Sequence, residues 1–223
     1  MKRTYEAVLW DWNGTLLEDS EYGLDIINRM LERRGLPVPS RAEHGRLFDF
    51  PVIRYYERLG FDFEKEPFEQ LSHEFVADYY RDVHTCSLRR GARGVLEAVR
   101  ARGCRQLVLS ASRQDLLEEM IAHHGLEPYF EALLGIDSVH APGKGARGCE
   151  WIRGGSTDPA RVLLIGDTVH DSEVAEEMGI DCWLVHGGHH APDRLEATGR
   201  RCFRDLAELG GILAATEAGR VRV

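Results

Sequence analysis

Four short runs of uninterrupted apolar residues, 7–10, 107–109, 162–165 and 182–185, each lead into a polar turn. A strand inside a parallel sheet is covered on both faces, so continuous rather than alternating apolarity marks these runs as buried parallel strands. Helical patterns lie between them. Val95, Leu96 and Val99 precede Gly103, Leu116, Leu117, Met120 and Ile121 precede Gly125, and Val174 and Met178 precede Gly179. Each glycine stands where a helix C-terminal cap is expected. Apolar run, helix, glycine and next apolar run is the rhythm of an α/β fold with a doubly wound, Rossmann-like parallel sheet. A weaker strand is expected at 132–136.

Residues 16–88 break the rhythm. Leu24, Ile27 and Leu31, then Ile53, Tyr56 and Leu59, then Phe68, Leu71, Phe75 and Tyr79 have helical spacing without strand-like runs. They predict an all-helical insertion, residues 16–88, in a core formed by 1–15 and 89–223. A chain of 223 residues accommodates a core of about 150 residues and an insertion of about 70 within ordinary domain sizes.

Thirty-seven acidic against 28 basic side chains give a net charge of −9. That balance disfavours nucleic acid or an anionic membrane surface as partner, since both demand a basic footprint; a small anionic substrate remains compatible. Cys86, Cys104, Cys149, Cys182 and Cys202 are scattered without a Cys-x-x-Cys pair. They read as reduced thiols, and with neither a signal-peptide pattern nor a membrane-length apolar run they point to the cytoplasm. Oligomeric state is left open.

The first apolar run ends in Asp11-Trp12-Asn13-Gly14-Thr15-Leu16, and the run at 162–165 ends in Gly166-Asp167-Thr168-Val169-His170-Asp171. Ligands of open α/β sheets bind beyond the carboxyl ends of the strands, so both acidic tips face one crevice. Asp11 and Asp167 together suit a hard divalent cation such as Mg²⁺, which takes oxygen ligands. Gly14 lets the backbone turn towards a ligand. Ser110-Ala111-Ser112, at the end of the second run, offers hydroxyl and amide groups to an anion at a helix N-terminus, with Ser112 also a candidate N-cap.

In this arrangement the chain resembles the haloacid dehalogenase superfamily of phosphohydrolases, and within it the phosphoglycolate phosphatase and β-phosphoglucomutase-like branch with a helical cap. Asp11 to Thr15 match the Asp-x-Asp-Gly-Thr motif except at its third position. Ser110 matches the hydroxyl of the second motif, Lys144 the motif lysine, and Asp167 and Asp171 the acidic Gly-Asp-x-x-x-Asp motif. The resemblance implies an aspartyl-phosphate intermediate on Asp11 and Mg²⁺ held by Asp11, the Asn13 carbonyl and Asp167. It further implies that Ser110 and Lys144 grip the phosphoryl group, with Gly14, Thr15 and Ala111 beside it, and that Asp171 orients the lysine or water. Only Lys2, Lys65 and Lys144 are lysines, and one of the three falls where the motif requires it. The Lys-Pro dipeptide common in the branch is missing.

Asn13 replaces the aspartate that in most family phosphatases protonates the leaving group, and an amide exchanges no proton at neutral pH. A positioned acid–base group is worth about 10²–10⁴ in rate. The replacement therefore implies a phosphatase that is slow, or restricted to good leaving groups such as aryl and acyl phosphates. On this reading Asn13→Asp gains most on alkyl phosphates. Glu18, His44 and His170 are candidate substitute acids.

Asp-Trp-x-Gly-Thr also resembles the start of phosphonoacetaldehyde hydrolase. That chemistry needs a cap lysine for a Schiff base, and the insertion offers only Lys65, in an acidic loop. A dehalogenase would not need the acidic pair. A degenerate phosphate-binding or regulatory protein would keep the site and lose turnover. Arg46 is a candidate substrate-binding residue in the 46–51 loop, with Phe48 and Phe50 expected to pack between cap helices. His186, His189 and His190 could form a zinc tract, but the family's C-terminal loop is the preferred reading.

Overall fold

The computed structural model describes residues 4–136, 143–155, 157–215 and 221–222. A two-residue strand β1 (Thr4–Tyr5) pairs antiparallel with β8 (Val221–Arg222). The main sheet contains β2 (Ala7–Trp10), β3 (Arg105–Arg113), β4 (Ala132–Ile136), β5 (Val162–Gly166), β6 (Asp181–Val185) and β7 (Arg201–Phe203). Its six strands are parallel in the order β4-β3-β2-β5-β6-β7. This is the expected doubly wound sheet, with all four apolar runs and the 132–136 strand in place.

β2 shows why its run is continuous. Val8 and Trp10 join one buried cluster and Ala7 and Leu9 the other, so alternate residues feed two separate cores. Helices cover both faces: α5 (Ala92–Arg100), α6 (Gln114–His123), α7 (Lys144–Gly154), α8 (Val169–Met178), α9 (Pro192–Glu196) and α10 (Leu206–Ala215). Gly179 caps α8 in the left-handed conformation, φ 68°. Ser112 is not the N-cap of α6; it belongs to β3, and Arg113 takes the cap position without a side-chain bond.

Between β2 and α5 lie four helices, α1 (Ser20–Arg33), α2 (Arg41–Leu47), α3 (Val52–Arg58) and α4 (Phe68–Asp82). Three coincide with the helical spacing of the sequence. The fourth, α2, covers residues expected to begin a loop. Ser40 and Glu43 form a reciprocal capping box at its start, a signal present in the sequence as Ser-x-x-Glu. Among the described residues no helix is long and apolar enough to cross a membrane.

Candidate active site

The order of the sheet reverses around β2, whose neighbours are β3 and β5, and the crevice of such a fold opens at the carboxyl ends of these strands. Asp11 follows β2 and Asp167 follows β5. Their carboxylate oxygens, with those of Asp171, lie within 4.8 Å of one another, and all three residues are buried. Lys144, the first residue of α7, donates from Nζ to Asp11 Oδ1 at 2.7 Å and to Asp171 Oδ1 at 2.5 Å. The Thr15 hydroxyl bridges Asp11 Oδ2 at 3.1 Å and Asp167 Oδ1 at 2.7 Å. Asp171 also closes the capping box of α8, its Oδ2 accepting from the Thr168 N–H at 2.9 Å. One helix start therefore fixes both Asp171 and, through it, Lys144.

Burial dominates the electrostatics. It raises Asp11 well above the usual carboxylate range; Lys144 pulls it down while Asp171 and Asp167 add to the rise. Burial would lower Lys144, but the two carboxylates outweigh it and hold the ammonium charged. Three buried carboxylates thus face one lysine, an excess of negative charge made of oxygen donors alone. A hard divalent cation fits that donor set and would relieve the excess.

His189 satisfies part of it. Its backbone N–H donates to Asp167 Oδ2 at 2.6 Å, and its Nδ1 lies 3.1 Å from the same oxygen. Burial would depress the imidazole, yet the carboxylate lifts it to about 9. Burial would likewise raise Asp167, and the bonds from His189 and Thr15 hold it low instead. Gly188 and Gly14 permit this approach: a Cβ on either would overlap Asp167, and at Gly14 also His189. The three histidines of the possible zinc tract take separate partners. His190 Nδ1 accepts from the Val169 N–H at 2.9 Å, and His186 pairs with Glu196 at 3.9 Å.

Asn13 is held on every side. Its Nδ2 donates to Asp19 Oδ2 at 2.7 Å and to the Tyr79 hydroxyl at 2.8 Å, while its Oδ1 accepts from Ser112 Oγ at 2.5 Å and, longer, from Ser110 Oγ at 3.5 Å. Asp19 can only accept, which orients the amide. Tyr79 donates to Asp19 at 2.6 Å, and the Gly14 N–H to its other oxygen at 2.7 Å. Arg89 ties the same loop to the histidine segment, donating to the carbonyls of Gly14 and His186 at 2.7 and 2.6 Å. Asp19, Tyr79 and Arg89 are not among the residues that the sequence motifs single out. Their signal is spatial, except that Asp19 stands six positions after Asn13.

This network corrects one expectation: Asn13→Asp alone would place two carboxylates 2.7 Å apart rather than restore a free acid. Arg46 is a second correction. It is 65% exposed, lies 3.8 Å from Asp193 and does not line the cavity over Asp11, because it stands on the outer face of α2, whose inner face buries His44 and Gly45. Of the candidate substitute acids, Glu18 pairs with Arg89 and His170 stacks on Phe50. His44 does line the cavity, bonded to Tyr55. Lys65 is 82% exposed and pairs with Asp62, away from any Schiff-base position in the cavity.

A cavity of about 590 Å³ rises from Asp11, Asn13 and Lys144 into the four-helix insertion. The insertion meets the core through aromatic contacts: Phe48 stacks on His189 and packs edge-on against His190, and Phe50 stacks on His170. Arg194 donates to the Phe48 carbonyl, and the Ala191 N–H to Gly45 O at 3.0 Å. His44 and His190 are buried in this junction. Burial first, then His189 and Arg41, pushes His44 down to about 3, and burial and Arg194 push His190 down to about 4. Unfolded histidines protonate near about pH 6.5. The contribution of these two histidines is therefore full above about pH 6.5 and falls on acidification by about 1.4 kcal/mol per pH unit for each, down to its folded value, whereas that of the raised His189 is full below about pH 6.5 and is lost as the pH rises towards about 9. Urea midpoints from about pH 7 to about pH 5 check this, and His44→Gln is expected to halve the slope attributable to the pair.

A haloacid dehalogenase-like family hydrolase from Streptococcus pneumoniae superposes on the chain with a TM-score of 0.79 at 17% identity, covering 93% of this chain and 98% of that one. That likeness establishes the fold class. The family model described as haloacid dehalogenase-like hydrolase matches residues 8–185, and the chain belongs to that family. It is 25% identical over 198 residues to the tyrosine-protein kinase PtkA of Mycobacterium tuberculosis, covering 86% of this chain and 66% of that protein's length. It is also 26% identical over 195 residues to a phosphoglycolate phosphatase of Thiobacillus denitrificans, covering 83% of this chain and 85% of that one.

Proposed function

We propose that this chain is a Mg²⁺-dependent phosphatase that hydrolyses a small phosphorylated metabolite through an aspartyl-phosphate on Asp11. The observation that carries the reading is the buried group of Asp11, Asp167 and Asp171 with Lys144 between two of them, of which Asp11 and Lys144 reach the floor of the cavity. The phosphatase named among its relatives supports it.

The Asp11 carboxylate attacks phosphorus, forming a P–O bond while the ester P–O bond breaks and the leaving oxygen takes the electron pair. Water then attacks the same phosphorus and the P–O bond to Asp11 breaks, so that the Asp11 carboxylate is regenerated and inorganic phosphate is released, the protons of the attacking water leaving with the phosphate or passing to solvent. Lys144, kept charged by its carboxylate partners, neutralises phosphoryl charge as it develops. Thr15 and His189 hold Asp167 in place, and Asp171 holds Lys144. Asp11, Asp167 and the Asn13 carbonyl would hold Mg²⁺, with Asp171 close by. Bound there, the ion screens the nucleophile from the substrate's charge and stabilises the equatorial oxygens.

We assign residues 1–15 and 89–223 to the catalytic core and 16–88 to a cap that encloses the substrate. The cysteines Cys86, Cys104, Cys149, Cys182 and Cys202 are all free, which suits the reducing cytoplasm. The test is phosphate release from acetyl phosphate and phenyl phosphate. Release that needs Mg²⁺ and stops on chelation is expected. Tight Mg²⁺-dependent phosphate binding with no turnover would instead favour a phosphate-binding or regulatory protein.

A further inference from the structure

The cavity above Asp11 is aromatic on its cap side. Its cap wall includes Phe48, Phe50, Tyr56, Phe75 and Tyr80, with Leu24 and Ile27 of α1 between them. Its size falls within the range of sites that enclose small organic ligands, about 300–1,000 Å³. A substrate bearing a second carboxylate or phosphate would need a free cation in that wall. Among the lining residues Lys144 and His189 are bound to the carboxylates of the acidic centre, Arg113 is paired with Asp115 at 2.5 Å and stacked on Tyr80 at 4.9 Å, and Arg46 lies outside, which leaves the imidazoles of His44 and of His73, on the exposed side of α4, as the basic groups of the wall. His44 is bonded to Tyr55 and packed against Phe48, so it offers a ring face rather than a charge.

A second observation concerns the other end of the scissile bond. Both Nδ2 hydrogens of Asn13 are committed, one to Asp19 and one to Tyr79. Tyr79 in turn donates its own proton to Asp19. Position 13 therefore delivers neither a proton nor a free hydrogen bond to a departing oxygen. A leaving group that departs beside residue 13 takes its electron pair without a proton from that side chain, and a phenolic oxygen, with a pKa of about 10, does so far better than an alkoxide.

Resting on the phosphatase reading above, we infer that the substrate is an aryl phosphate monoester, with its apolar ring seated against the aromatic cap wall and a phenolate as leaving group. The ring site and the unprotonated departure are independent features of the structure, and an aryl ester satisfies both. In the first step the aryl oxygen leaves as phenolate when the Asp11–phosphorus bond forms, and it takes its proton from water after release.

Phenyl phosphate, benzyl phosphate, 2-phosphoglycolate and acetyl phosphate, each with saturating Mg²⁺, form the test. Phenyl and benzyl phosphate carry the same ring and differ in the leaving oxygen. The expected kcat/KM favours phenyl over benzyl phosphate by about 100-fold or more, the range of a missing acid–base group. KM for phenyl phosphate is expected to lie at least about tenfold below that for acetyl phosphate, because only the former buries a ring. Equal kcat/KM for phenyl and benzyl phosphate, or a preference for 2-phosphoglycolate, overturns the inference while leaving a phosphatase in hand. Release from none of the four, acetyl phosphate included, overturns the phosphatase reading itself.

Discussion

Asp11→Asn is expected to reduce phosphate release to background, a loss on the order of 10⁴–10⁶, as removal of a covalent nucleophile does elsewhere. The substitution is well chosen to separate chemistry from folding. An amide oxygen keeps an acceptor for the Lys144 ammonium, now 2.7 Å from Asp11 Oδ1, and the side-chain volume is nearly unchanged. Removing one of three buried carboxylates also lessens the repulsion that pushes Asp11 up, so the variant should fold at least as stably as the wild type. Acid-quenched wild type incubated with substrate should carry a phosphoryl group on the peptide containing Asp11, and the variant none. Turnover retained by a folded Asp11→Asn protein would falsify the nucleophile assignment.

The acidic centre is legible in the sequence because each of its members ends a strand or starts a helix. Asp11 and Asp167 follow continuous apolar runs, and a parallel sheet carries such ends to one edge however far apart they lie in the chain. Thr15 and Asp167 are 152 positions apart and Lys144 and Asp11 133 apart, yet both pairs are hydrogen-bonded. The insertion sets what stays hidden. Its helices pack by side-chain shape, and nothing in a 3.6-residue period says that Tyr79 of α4 will point at Asn13, 66 positions away. The seven residues of α2 span barely two turns, too few for a periodic pattern. Its capping box is the readable sign, and a reading that passes over it puts Arg46 on a loop and credits it with a substrate. Lys144 shows the opposite case, where scarcity of a residue type marks a position that the structure buries between two carboxylates.

Asn13→Asp and Asp19→Asn are expected to be damaging singly and compatible together. Asn13→Asp alone replaces a donor by an acceptor against Asp19, setting a half-buried carboxylate 2.7 Å from a buried one, an arrangement that the two can hold only by sharing a proton. Stability should fall by about 1–3 kcal/mol, the cost of losing a hydrogen-bond partner in a buried network, with alkyl-phosphate turnover no better than wild type. Asp19→Asn alone sets two amides face to face and loses the charge that accepts from Asn13, Tyr79 and Gly14. The double variant exchanges the two groups. The amide introduced at position 19 would donate to the new carboxylate at position 13 and still accept the Gly14 N–H. Tyr79 and Ser112, already 2.8 and 2.5 Å from the side chain of residue 13, can donate to that carboxylate as well. Urea denaturation should therefore show most of the lost stability regained. With a titratable group at the cavity edge and a neutral partner behind it, benzyl phosphate turnover should rise by about 10²-fold, within the range of acid–base catalysis. Phenyl phosphate, whose leaving group needs no proton, should gain far less. A stable double variant with unchanged benzyl phosphate turnover would show that proton supply at residue 13 does not limit this enzyme, and would remove half the case for an aryl substrate.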